Sequence, residues 1–297
     1  MVYGVAAYAL WGAFPLYWPL LEPAAPLEIL AHRVLWSLAF VALLLWRTRR
    51  WARVHAVLQN PSQRTTLALA AAVITVNWLT YIWGVNTHHI VETSLGYFIN
   101  PLFTILLGVV VLREQLRTAQ WVAVGIASLA IVILTLDYGR LPWIALTLAL
   151  SFGTYGYLKK RANVGAVESL AVETGVLAGP ALITLAVLQM TGSMAFLHHS
   201  VGNTVLLMAT GVVTAVPLLF FAASAIRLPL STLGLLQYLA PVFQFLIGVL
   251  VAHEPLPPAR LAGFALVWFA LVVLTVDGLR YSRRDSAALP SAVDIAS

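Results

Sequence analysis

The chain has 297 residues, 9% of them charged and 61% hydrophobic, with a mean hydropathy of +0.91 and no cysteine. Soluble domains carry roughly 25% charged residues, so this composition excludes a water-soluble globule, and the missing cysteines exclude disulfides, thiolate nucleophiles and thiolate-bound metals. The net charge of +6 arises from bases clustered between apolar runs, which argues against a nucleic-acid surface.

A membrane-spanning helix needs about 20 mostly apolar residues. The sequence predicts ten such segments: 2–20, 27–46, 66–86, 92–112, 118–136, 142–158, 167–188, 203–221, 229–251 and 259–276. The first lacks a basic lead-in and a small-residue cleavage site, so it is expected to be a retained helix rather than a signal peptide. The loop at 47–64 carries Arg47, Arg49, Arg50, Arg53 and Arg64 around an expected interfacial helix at 51–58. With a cytoplasmic N-terminus, 14 bases fall on the cytoplasmic side, among them Arg113, Arg117, Lys159, Lys160, Arg161, Arg227 and Arg280. Two, Arg140 and Arg260, fall outside, and Arg33 alone lies within a span. That asymmetry predicts that both termini are cytoplasmic.

The segment 100–137 has a second copy 140 residues later. Across 100–116 and 240–256, eight of 17 residues are identical, including Pro101/Pro241, Phe103/Phe243, Gly108/Gly248 and Glu114/Glu254. Both copies end in an aspartate, Asp137 and Asp277. The register of a proline, a glycine and two acids at one offset points to tandem duplication rather than shared apolar composition. The expected units are 1–140 and 141–280, followed by a disordered cytoplasmic tail at 281–297. Five crossings per unit invert the second relative to the first, an arrangement that recurs in secondary transporters.

Arg33 lies seven residues past Pro26, about 10 Å along a helix at 1.5 Å per residue. A cation at that depth must pair, snorkel or face water. The repeat offset maps Glu28 onto Glu168 and Arg33 onto Glu173. The expectation is that Arg33 and Glu173 face a common cavity and pair there; the competing reading has Arg33 satisfied by neighbouring carbonyls. Glu28 sits where a carboxylate favours the start of its own helix, and His32 shares its face. Asn77, Trp78, Tyr81, Tyr97, Asn100, Gln237 and Tyr238 supply amides and aromatic faces for a polar, aromatic-lined route, or else bonds between helices. Pro101 and Pro241 are expected to interrupt their helices and to act as hinges or to shape packing. Glu114 and Glu254 should tether loops at the membrane edge. No metal centre or cofactor is expected. No nucleotide loop or hydrolase elbow is present, so an enzyme is not expected either.

The stretches 8–18 (YALWGAFPLYW), 28–37 (EILAHRVLWS), 77–83 (NWLTYIW), 92–102 (ETSLGYFINPL) and 235–241 (LLQYLAP) resemble the bacterial RarD family, a branch of the EamA-type transporters in the drug/metabolite transporter superfamily. The likeness spans nearly all of 1–280. It implies an all-α polytopic protein of the inner membrane, with ten transmembrane helices in two inverted five-helix repeats around a central cavity. Relatives in the superfamily export amino acids, nucleotide precursors or aromatic drugs, as proton-coupled antiporters or facilitators.

The functional expectation is a secondary transporter that exports small amphipathic or aromatic solutes by alternating access within the lipid bilayer. If protons drive it, His32 or Glu173 carries them, because each can change charge. The competing functions are a flippase for a lipid-linked carrier and a non-transporting scaffold or sensor. The sequence carries no signal for an oligomeric state.

Overall fold

The computed structural model describes residues 1–112, 116–225 and 236–288. Arg113, Glu114 and Arg227 therefore lie outside the described residues. In chain order the helices are α1 (Val2–Gly12), α2 (Phe14–Tyr17), a 3₁₀ turn (Trp18–Leu21), α3 (Pro26–Thr48), α4 (Trp51–Gln59), α5 (Pro61–Asn86), α6 (Ile90–Leu112), α7 (Thr118–Tyr138), α8 (Trp143–Ala162), α9 (Ala166–Met190) and α10 (Val201–Ala225). They are followed by α11 (Leu239–Leu246), a π turn (Ile247–Val251) and α12 (Pro258–Ala288). Six of these helices, α3, α5, α7, α9, α10 and α12, are long and apolar enough to cross a membrane, and α1 and the 239–251 segment are shorter apolar helices.

Local chemistry sets the boundaries. Pro26 and Pro61 occupy the first helical positions of α3 and α5, where a missing N–H costs nothing. The Asn60 side chain accepts from the backbone N–H groups of Ser62 and Gln63 and caps α5. Arg49 and Asn163 close α3 and α8 in the left-handed region. The basic last turn of α8, Lys159 to Arg161, complements that helix's dipole. A helix is present where one is expected between α3 and α5, as α4, with Val54 and Val57 buried and Trp51 exposed.

Three expectations need correction. The segment 2–20 is not one helix: Pro15 and Pro19 each remove a donor and disfavour helix at the residue before, so the chain turns at 13 and again at 18. That break drives Phe14 and Trp18 into the interior, Trp18 fully buried. The two repeat prolines differ: α6 runs through Pro101 unbroken, whereas α11 begins at Leu239 with Pro241 in its first turn. Finally, α12 continues to Ala288, so 281–288 of the expected disordered tail is helical.

The segments that match at the 140-residue offset meet through reciprocal contacts. Arg117, before α7, donates to Asp277 of α12 at 2.8 Å, and Arg260, at the start of α12, donates to Asp137 at the end of α7 at 2.9 Å. α7 and α12 thus lie antiparallel. The same holds for α3 and α9. Glu28, in the first turn of α3, accepts from the N–H groups of Ala195 and Phe196 beyond α9, and Glu168, in the first turn of α9, lies 3.8 Å from Arg53 beyond α3. Glu28 therefore secures the loop beyond α9 as well as standing in the first turn of its own helix. A third pair is steric: a Cβ on Gly12 would stand 2.7 Å from Phe243 Cβ, and one on Gly153 would stand 2.6 Å from Phe103 Cδ1. Phe103 and Phe243 are repeat equivalents, so each glycine lets its helix close on the other's phenylalanine.

The core divides accordingly. One cluster joins α6, α7, α8, α11 and α12 around Phe98, Phe245, Phe264 and Trp268. Another gathers the 14–21 turn, α3, α5, α8 and α10 around Trp18. Glu254 accepts from the N–H groups of Ile90 and Val91 and so ties the segment after the π turn to the start of α6.

Candidate functional site

Arg33 is held two turns into α3 and is 4% exposed. Its Nε donates to Thr214 Oγ1 of α10 at 2.9 Å. The guanidinium carbon lies 4.0 Å from the ring centroid of Trp78, 5.1 Å from Trp18 and 5.7 Å from Phe14. Each such cation–π contact contributes about 0.5–2 kcal/mol, the more so when water is excluded. Nη1 is buried without a hydrogen-bond partner. Tyr81 and Tyr97 are its electrostatic neighbours and pack edge to face with ring centroids 5.6 Å apart. The Tyr97 hydroxyl donates to Asn77 Oδ1 at 3.2 Å, while the Tyr81 hydroxyl has no hydrogen-bond partner. Asn77 in turn donates to Ser151 Oγ at 2.9 Å and to the Leu148 carbonyl at 3.2 Å, which anchors α5 to α8.

The expected ion pair between Arg33 and Glu173 is not formed. Glu173 accepts from Lys159 Nζ at 2.7 Å, from Ser169 Oγ at 2.6 Å and from the Tyr155 hydroxyl at 2.9 Å. The reason is geometric. Each residue lies seven positions into its helix, and α3 and α9 run in opposite directions, so equal depth from the start means opposite depth in the molecule. For a helix of 23 residues, that separates the two levels by about 12 Å at 1.5 Å per residue. There are two polar nodes: a cation among aromatic rings, and a carboxylate with its own lysine.

The other expected residues divide between the first node and separate contacts. Trp78, Tyr81, Tyr97 and Asn77 gather around Arg33. His32 does not join them through any hydrogen bond: its Nδ1 accepts from Trp36 Nε1 at 3.2 Å, its ring packs on Phe196 at 4.4 Å, and Nε2 lies 4.0 Å from Glu28. Asn100 stands beside Gly153, with its Oδ1 buried and unpartnered. Tyr238 packs against the α6–α12 cluster, within hydrogen-bonding reach of Gln237 and Thr275.

Phe14, Trp18, Thr214, Tyr155, Lys159 and Ser169 were not expected at these nodes. The spacing of Tyr155 to Lys159 and of Ser169 to Glu173, four residues each, was a usable signal for a shared face. Thr214 carried none, since a threonine in an apolar helix usually bonds its own backbone.

A profile of the EamA-like transporter family matches residues 1–136. The chain is 58% identical to Protein RarD of Streptomyces exfoliatus, over 98% of this chain and 93% of that protein. It is 43% identical to an uncharacterized transporter of Pseudomonas aeruginosa, over 95% of each. Its fold is similar to that of a protein with a solved crystal structure, with a TM-score of 0.57 at 19% identity, covering 93% of this chain and 96% of that one. Apolar helices, an interior cation and these likenesses together define a multi-pass membrane transporter. The chain belongs to the RarD family of EamA-type transporters, within the drug/metabolite transporter superfamily.

Proposed function

We propose that the protein exports a small amphipathic or aromatic solute by alternating access, and that Arg33 is the charge the solute meets. The observation that carries this reading is the buried guanidinium with a free donor between the faces of Trp78, Trp18 and Phe14. An arginine in a lipid-spanning helix is costly to bury, and where it is neither paired with an acid nor at the membrane edge it marks a solute path.

In this reading the chain crosses the bacterial inner membrane ten times, as units 1–140 and 141–280 of opposite orientation, with both termini in the cytoplasm. The reciprocal contacts between α7 and α12 and between α3 and α9 support it. So does the family match, which ends at residue 136, close to the proposed end of the first unit. Rocking of one unit against the other exchanges the openings. Asn100, Gln237 and Tyr238 line the route when it is open. Proton coupling is assigned to Glu173, whose ion pair with Lys159 loses its charge attraction when the carboxylate takes up a proton.

An untargeted comparison of metabolites inside and outside cells tests the reading. Cells lacking the protein should retain at least one small solute that overproducing cells release, and Arg33→Met should abolish the difference. Identical profiles in all strains would contradict export.

A further inference from the structure

The chemistry around Arg33 says more about the solute than its size. A guanidinium has five N–H donors and accepts nothing. Here Nε is used by Thr214 and Nη1 has no partner. The ion pairs among the described residues involve Arg53, Arg117, Arg140, Lys159, Arg260 and His32, so no acid of the described chain neutralises Arg33. The carboxylates on α3 and on α9, which packs against it, are engaged elsewhere: Glu28 with the backbone of Ala195 and Phe196, Glu173 with Lys159, and Glu168 at 3.8 Å from Arg53. A second buried donor, the Tyr81 hydroxyl, 2% exposed, is also unpartnered and stands one turn along α5 from Trp78, the ring that stacks on the guanidinium. The surrounding surface is flat and aromatic.

On the reading of Arg33 as the solute-facing charge, we propose that the site takes an aromatic monocarboxylate without an ammonium group. The carboxylate is received by Nη1 and the Tyr81 hydroxyl, and the ring lies in the wall formed by Trp78, Trp18 and Phe14. One uncompensated positive charge in an apolar surrounding is matched by one negative charge; a phosphate dianion leaves an excess charge buried. An α-ammonium brings a second cation beside Arg33 with no carboxylate free to pair it, and buried like charges oppose each other strongly. Arg33 is closed to solvent in this conformation, so the solute reaches it when the helices part.

Equilibrium binding of radiolabelled phenylacetate to the purified full-length protein tests this, with unlabelled phenylacetamide, phenylalanine and phenyl phosphate as competitors. Phenylacetate should bind saturably, and each of the three competitors should be at least about tenfold weaker, the loss expected when a charge-assisted hydrogen bond goes unmade or a charge goes unpaired. Tyr81→Phe, which keeps the ring and its packing, should weaken phenylacetate several-fold without altering thermal stability. Arg33→Lys should bind more weakly than wild type, and Arg33→Met not at all; the lysine variant serves if the methionine variant does not fold. No saturable binding of phenylacetate, or equal competition by the amide or by phenylalanine, would overturn the proposal. Arg33-dependent binding without flux in proteoliposomes would sink the transport reading and leave this one standing. Arg33-dependent export from cells, with no preference for the acid over the amide, would do the reverse.

Discussion

Glu173 is 1% exposed, and its carboxylate is held by one ammonium and two hydroxyls, so removing its charge strands Lys159 against α9. Breaking a buried pair by deleting one member costs about 3–5 kcal/mol, and more than replacing both. The Lys159 side chain keeps 24% of its surface exposed, so a loss nearer 2 kcal/mol is expected for Glu173→Leu. Lys159→Met added to Glu173→Leu should recover most of it in a thermal or denaturant melt of the purified protein. In proteoliposomes Glu173→Gln should make solute flux insensitive to an imposed pH gradient, and a gradient response equal to wild type would remove the proton assignment. At this scale Arg33 was legible because a lone cation in an apolar run has few tolerable fates. Its partners were not: Thr214 is 181 residues away and chemically unremarked. Glu173 is not its partner because α3 and α9 run in opposite directions, so equal positions along the two helices lie at different depths.

Elements were read from hydrophobic run lengths, and α3, α5, α7, α9 and α10 fall close to the expected segments. Where proline mattered, run length misled. The 2–20 segment breaks twice, and the break is what turns Phe14 and Trp18 toward Arg33. Pro101, within an equally apolar stretch, leaves α6 unbroken. Close packing was also hidden, because a glycine in a span does not announce which neighbour it admits. Gly153 admits Phe103, and a side chain there forces α8 away from α6. Overpacking of this kind costs about 1–3 kcal/mol. Gly153→Leu and, at the close contact with Phe243, Gly12→Leu should therefore each lower the melting temperature, while leucine at Gly175, where a Cβ meets nothing within 4 Å, should not. Equal melting of all three variants would mean that the glycines are not packing sites.

The account of the whole molecule rests on two copies that run in opposite directions. The 140-residue offset is the sequence basis for proposing the duplication, and the odd number of predicted crossings per unit is the basis for proposing the inversion. What remained hidden was how the copies interlock, since Arg117–Asp277 and Arg260–Asp137 join residues 160 and 123 positions apart. Asn60 and Ser200 are separated by the same 140-residue offset, both are exposed, and the natural chain has no cysteine to interfere. Single variants Asn60→Cys and Ser200→Cys, treated with a membrane-impermeant maleimide on intact cells and on inverted vesicles, measure the orientation of the copies directly. The account predicts that position 60 reacts from the cytoplasmic side and position 200 from the opposite side. Reaction of both from one face would contradict it.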